Sequence, residues 1–328
     1  MSLVAEFAYN LHEKNKPAQT RIIKPIKWPS VYEKLHDIRV AVFDVYGTLL
    51  NYWKPEFAEP ASKRNYLLKT FQNTASYFGM EACLLEMDPG APIEKTLYDL
   101  YHGLITLKQN ILTEKNIEYP EIKIEEVWTA ILLMLKRRGY VFPDKKVDND
   151  ADAARCIAYY YNFHVFNREL YPGVADALIE LKKNNIKLGI LSNAQFYTSV
   201  DLTLLLRNQS NGRIEDMNEL FDTDLTFYSY EYNMAKPSRY LFRKLFDALY
   251  EYQALPAQTV FVGNDIAMDI KPAMDAGMKT ALFTGDSQCM FIHGLDDVIP
   301  DLAFSGWNDL AQKISFHEEA KNNSDNKQ

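Results

Sequence analysis

Three short apolar runs, each closing on a polar residue, constrain the fold of this chain more than any other feature. Arg39–Phe43 closes on Asp44, Ile186–Leu191 on Ser192-Asn193, and Thr259–Val262 on Gly263-Asn264-Asp265. Apolar runs of this length bounded by turn residues are buried strands. Between and after them the apolar spacing becomes helical. Gly173–Lys183 places Val174, Ala177, Leu178 and Leu181 on one side. Pro237–Tyr250 opens with a proline where the missing N–H costs nothing. The stretch after Asp265 runs as a helix to Ala276, before Gly277. Asp224–Tyr228 and Thr280–Phe283 read as further strands. This alternation predicts an α/β fold, a Rossmann-like doubly wound parallel sheet covered on both faces. Ligands of such sheets bind beyond the carboxyl ends of the strands, so Asp44, Ser192 and Asp265 are expected at one rim.

From Tyr52 to Val165 the pattern changes. Tyr66–Phe78, Ile93–Gln109 and Val127–Lys136 have helical spacing, interrupted by Pro89-Gly90 and Pro120. An all-helical inserted unit is therefore expected over 52–165, with the α/β core over 38–51 and 166–315. An N-terminal arm over 1–37, with a short helix near Ser30–His36, and a polar, frayed tail over 316–328 complete the expectation.

Composition excludes several functions. With 36 Lys and Arg against 44 Asp and Glu, the formal charge is −8. Such a surface repels phosphate backbones and anionic lipid, so neither nucleic acid nor a membrane surface is the expected partner. A small anionic substrate is still admissible where a few cations dominate one pocket. Cys83, Cys156 and Cys289 show no CxxC spacing and read as reduced thiols. No apolar run approaches the ~20 residues of a membrane span, and no signal-type start is visible; a soluble, cytoplasmic protein is expected. The histidines are scattered without metal-binding spacing, and no GxGxxG or GxxxxGK loop occurs, which argues against zinc, dinucleotide and P-loop chemistry. Arg137-Arg138 reads as a solvated helix end. Oligomeric state is left open.

The residues suited to chemistry lie at strand ends and helix starts. Asp44, before a turn marked by Gly47, can present one oxygen for attack, with Thr48 four residues on to hydrogen-bond it. Ser192 and Asn193 can donate to an anionic oxygen of a substrate. Lys236, in Ala-Lys-Pro-Ser, can screen two anions that must approach one another. Asp265 and Asp269, four apart, read either as an acidic pair holding Mg²⁺ with Asp44, or as a helix cap and an anchor for Lys236.

In this order, the segments DVYGTLL (Asp44–Leu50), ILSNA (Ile190–Ala194), AKPS (Ala235–Ser238) and VGNDIAMDIKPAMDAGM (Val262–Met278) resemble the four motifs of the haloacid-dehalogenase-like (HAD) hydrolase superfamily. The resemblance implies Asp44 as a covalent nucleophile, Lys236 as its charge partner, and Ser192 and Asn193 on the transferred group. It implies Mg²⁺ held by Asp44, the main-chain carbonyl of Tyr46 and Asp265, with Asp269 supporting, and a helical cap that selects a small anionic substrate. Phosphatases of the superfamily carry an acid where this chain has Tyr46, whose phenol, with a reference pKa near ~10, suits acid–base work poorly. The DxYGTL form is similar to that of 2-haloacid dehalogenases. Those enzymes carry Ser-Ser-Asn-x-x-Asp in the last motif, where this chain has Gly-Asn-Asp-x-x-x-Asp, and a Tyr where it has Phe242. The resemblance implies a Mg²⁺-dependent phosphatase first, a metal-independent dehalogenase second, and a silent binding or regulatory scaffold third.

Overall fold

The computed structural model describes residues 2–15 and 22–316. Helix α1 (Leu3–Lys14) starts at Ser2, whose hydroxyl accepts the Ala5 N–H at 3.3 Å, and buries Val4, Ala8 and Leu11. That spacing puts one apolar stripe on the helix. The helix expected near Ser30–His36 is not formed. The N–H groups of Val31 and Tyr32 bond to the carbonyls of Pro300 and Asp301, and strand β1 (Leu35–Ile38) pairs in parallel with Ile314–Phe316. Tertiary pairing overrides local propensity here. The expected tail lies, from residue 317 onward, outside the described residues.

Strand β2 (Val40–Phe43) is buried at all four positions, as a strand covered on both faces must be. The chain then passes through β3 (Leu50–Asn51) into five helices: α2 (Pro60–Tyr77), α3 (Glu81–Met87), α4 (Ile93–Glu114), α5 (Ile124–Lys136) and α6 (Asp150–Val165). It returns through β4 (Glu169–Leu170), which pairs antiparallel with β3, Leu50 opposite Leu170. Alternating elements follow: α7 (Val174–Lys183), β5 (Lys187–Ser192), α8 (Tyr197–Gln209), β6 (Phe221–Tyr228), α9 (Ser229–Tyr232), α10 (Arg239–Glu251) and β7 (Thr259–Gly263). The last are α11 (Lys271–Asp275), β8 (Lys279–Phe283), β9 (Leu302–Phe304), α12 (Trp307–Lys313) and β10 (Ile314–Phe316). The helix expected from Asp265 to Ala276 begins as a π-helical turn over Ile266–Ile270 and becomes α-helical only at Lys271.

The six-stranded sheet has the order β6-β5-β2-β7-β8-β9, with every pairing parallel. The expected α/β class is the observed one. Chain order reverses at β2, so the crevice beyond the carboxyl ends of β2 and β7 is the topological switch point. Side chains of β2 alternate, Ala41 and Phe43 packing with α7 and α12, Val40 and Val42 with α10. The five helices bury a core of their own, rich in rings: Phe71 stacks on Tyr161 at 4.4 Å beside Tyr101 and Trp128. Val4, Ala8 and Leu11 of α1 join this second core, as do Tyr197 and Leu204 of α8. No described helix is long and apolar enough to cross a membrane.

Candidate active site at the switch point

Asp44 leaves β2 with its N–H bonded to the Val262 carbonyl at 2.9 Å, which seats it between β5 and β7. The turn after it requires Gly47 twice over. Its φ is +87°, and a Cβ there would overlap the Asn264 amide. The next residue, Thr48, is fully buried.

Three side chains from three loops meet at the Asp44 carboxylate. Lys236 Nζ lies 2.7 Å from Oδ1, and Ser192 Oγ donates to the same oxygen at 3.0 Å. Among the described residues Oδ2 has only the Thr48 hydroxyl, at 3.3 Å. That hydroxyl has one proton and a better acceptor in Asn264 Oδ1, 2.7 Å away. Asn264 Nδ2 in turn donates to the Cys289 carbonyl, which fixes the amide's orientation. One carboxylate oxygen is thus held firmly and the other lightly.

Lys236 is only 3% exposed and serves two acids, since its Nζ also lies 2.5 Å from Asp269 Oδ1. Asp269 Oδ2 accepts the N–H groups of Asn264 and Asp265, both at 3.1 Å. Gly263 makes this possible, because any Cβ there would overlap the Asp269 carboxylate. The cluster holds two carboxylates and one ammonium. Burial pulls the lysine's pKa down, but Asp269 and then Asp44 outweigh it and hold it above the ordinary value. Burial lifts the Asp269 carboxyl to about 7, with Lys236 opposing and Asp44 adding to the rise. Both directions follow from one cation shared between two anions in a low-dielectric site.

Asn193 contributes differently from the expected contact with substrate. Its Oδ1 accepts the Lys236 N–H at 2.6 Å and its Nδ2 donates to the Lys236 carbonyl at 3.3 Å. Its amide grips the lysine's backbone. The other flank of that segment is held by the helical unit: Ala235 N–H bonds to the Tyr119 carbonyl at 2.8 Å, and Glu121 N–H to the Asn233 carbonyl at 3.1 Å.

Asp265 departs most from expectation. Its Oδ1 caps the π-helical turn, accepting Ala267 N–H at 2.9 Å and Met268 N–H at 2.8 Å, and its Oδ2 faces His293 Nε2 at 2.9 Å. Adjacent residues at a strand end point to opposite sides. Asn264 takes the side facing Thr48 and the nucleophile's turn, while Asp265, largely buried, has one oxygen on the turn it caps and the other on His293. The expected Mg²⁺ set needs two converging carboxylates, and the residue turned inward is a neutral amide. Among the described residues no group of three or more His, Cys, Asp or Glu side chains is placed to hold a metal. With Asp265 Oδ1 taken by two main-chain N–H groups and Oδ2 by His293, the expected Mg²⁺ set of Asp44, the Tyr46 carbonyl and Asp265 is not assembled among the described residues.

The position of the missing acid is filled by a phenol that is already engaged. Tyr46 Oη shares a hydrogen bond with Thr198 Oγ1 at 2.9 Å, and burial raises its pKa further above the ordinary value. Phe242 packs in the core against Phe261, with 5.6 Å between ring centroids. Arg137 and Arg138 are exposed at the end of α5, a solvated helix end.

Beside Tyr46 lies a pocket of about 220 Å³. Its walls include the rings of Tyr46, Tyr52, Phe166 and Tyr197, with Glu121, Asn162, Asn193 and Gln195 supplying polar groups. Glu121 carries no motif and nothing in its sequence neighbourhood singles it out, whereas Gln195 directly follows the ILSNA segment. Asn264 could have been found from the alternation of neighbours past a strand end.

A model of haloacid dehalogenase-like hydrolases matches residues 38–277, well over half of the chain, and the protein belongs to that family. It is thus a HAD-like hydrolase. No curated protein matches it. Among solved structures it is similar to a 2-haloacid dehalogenase from Pseudomonas syringae pv. Tomato DC3000, with 18% identity, coverage of 84% of this chain and 97% of that one, and a TM-score of 0.48. A HAD phosphatase from Thermococcus onnurineus shares 15% identity over 84% of this chain and 97% of its own, with a TM-score of 0.45. The two names denote different reactions, and neither reaction is carried to this chain by likeness at that level.

Proposed function

We propose that the chain hydrolyses a small molecule through an ester on Asp44 whose leaving group departs unprotonated, which favours a carbon–halogen bond over a Mg²⁺-dependent phosphoester. The observation carrying this reading is the asymmetry of the Asp44 carboxylate: Oδ1 is held by Lys236 and Ser192, while among the described residues Oδ2 has only the long Thr48 contact. Oδ2 attacks the carbon, the carbon–halogen bond breaks, and halide leaves with the bonding pair. Water then adds to the Asp44 carboxyl carbon, the alcohol is expelled, and one proton passes to solvent. Lys236 pairs with Asp44 Oδ1, Ser192 fixes its plane, Asn193 positions the lysine, and Asp269 anchors the ammonium. Tyr46, occupied by Thr198, supplies no proton, and a halide needs none.

Phosphoryl transfer aided by a divalent cation is the second reading. One observation favours it: the Tyr46 main-chain carbonyl accepts no hydrogen bond among the described residues.

A panel of halogenated and phosphorylated small molecules, assayed with Mg²⁺ and with EDTA, tests both. The expected result is halide release indifferent to EDTA. With enzyme in excess in heavy-oxygen water, the peptide containing Asp44 should gain label, because water attacks the aspartyl carbon. Phosphate release abolished by EDTA, with an unlabelled Asp44, would replace the first reading by the second. Neither product from any substrate, with Asp44 unlabelled, would leave only a binding scaffold.

A further inference from the structure

The pocket beside Tyr46 carries a chemical signature of its own. Asn162 Nδ2 donates to Tyr197 Oη at 2.8 Å, and its Oδ1 accepts from Arg168. Asn193 is spent on the Lys236 backbone. Gln195 Nε2 donates to the Ile122 carbonyl at 2.9 Å and to Glu121 at 3.1 Å, while its Oε1 accepts the Ile124 N–H at 3.0 Å. Gln195 thus commits its oxygen and both N–H groups within the protein, and Asn162 and Asn193 each commit the oxygen and one N–H.

Glu121 is not fully committed. Its Oε1 accepts from Ile122 N–H and Gln195, and its Oε2 from Ser229 Oγ at 3.0 Å. A carboxylate offers about four lone-pair sites, so Oε2 keeps room for one more donor. Burial raises the Glu121 carboxyl above its ordinary pKa, and these three bonds, which favour the charged form, oppose that rise. No lysine, arginine or histidine is among the residues lining the pocket. The two nearest cations of note are taken: Lys236 by Asp44 and Asp269, Arg168 by Asp201. The pocket thus offers ring faces and one negative acceptor, and nothing that would neutralise an anion. Its volume of about 220 Å³ suits one ring, since an apolar cavity of about 150 Å³ holds a benzene.

We propose that the organic part of the substrate is a flat, preferably aromatic group bearing a hydrogen-bond donor, an amine or a hydroxyl, that Glu121 accepts, and that it carries no carboxylate. This rests on the reading above, that the pocket serves Asp44, and narrows it: small haloacids and carboxylate-bearing phosphoesters are excluded by Glu121. Glu121 acts as a specificity residue, set in place by the same loop that pairs with Asn233–Ala235.

Binding tests this without turnover. Tyramine and phenylacetate are titrated into the full chain near neutral pH by calorimetry. Tyramine should bind more tightly by on the order of tenfold, because a buried like-charge contact disfavours the carboxylate. In Glu121→Gln, checked for wild-type melting, that preference should shrink to about twofold or less. Phenylacetate binding as tightly as tyramine to the wild type overturns the proposal. So does an unchanged preference in the folded variant, and if the variant does not fold the wild-type comparison alone decides. The outcome is separable from that of the reaction assay: tyramine preference without halide or phosphate release sinks the reaction and spares the pocket. Turnover of a small haloacid does the reverse.

Discussion

Two buried ion clusters lie in this molecule, and they are built on opposite principles. At the sheet rim, Lys236 is shared between Asp44 and Asp269, so one negative charge is in excess. Between α6 and α8, Arg168 faces a single carboxylate, Asp201, which also accepts the Tyr159 hydroxyl at 2.7 Å. The rings of Tyr159, Phe163 and Tyr197 surround that guanidinium at 5.3, 5.7 and 5.6 Å. One cluster is unbalanced, with an oxygen left lightly held; the other is balanced and enclosed. Imbalance in a buried site lowers stability and creates reactivity, whereas a matched, ring-packed pair joins two structural units.

The largest effect that would break this contrast is expected at Asp44. Asp44→Asn should cost about 10⁴-fold or more in turnover, yet its melting temperature should equal or exceed the wild type, because the excess charge is gone. A variant that loses activity only by unfolding would put Asp44 with Arg168 as a structural group. Next, Arg168→Met strands Asp201 without its cation and should destabilise the fold by about 3–5 kcal/mol in denaturant titration. The double variant Arg168→Met, Asp201→Leu should recover most of that loss, since both charges are removed together.

A smaller effect concerns His12, whose Nε2 lies 3.1 Å from the Tyr159 hydroxyl. Burial first, and then Arg168, lower its pKa to about 4. The unfolded chain protonates this histidine near its ordinary value of 6.5, while the folded one resists. Stability should therefore fall as pH drops through the window from about 6.5 to about 4, by at most about 3 kcal/mol. Denaturant midpoints across that window, wild type against His12→Gln, measure it; parallel curves would refute it. Smallest of all, Lys271→Ala, which removes an exposed i,i+4 partner of Asp275, should change stability by no more than about 0.5 kcal/mol.

The rim cluster was largely legible in the sequence, and the ring-caged pair was not. Asp44 and Ser192 lie at or just beyond strand ends in a parallel sheet and Lys236 just before a helix, and such boundaries are set by short-range patterning. Asp269 as the lysine's anchor was an open alternative, and the structure selects it. Asp265 was placed on the same face as Asp269 by assuming a regular helix from its first residue. The π-helical turn and the inward side chain of Asn264 were invisible to a period-3.6 argument. Arg168, Asp201, His12 and Glu121 belong to contacts between elements far apart in the chain. No local spacing encodes which helix will lie against which. The same holds for α1, whose stripe of Val4, Ala8 and Leu11 finds its partners in the second core.

The loop Tyr119–Glu121 pairs with Asn233–Ala235 immediately before the shared lysine. The helical segment between β3 and β4 therefore does more than bury a core of its own. It supplies one of the two brackets on which the ammonium hangs, Asn193 being the other. Any displacement of that loop would slacken the bracket and loosen the ammonium's grip on Asp44.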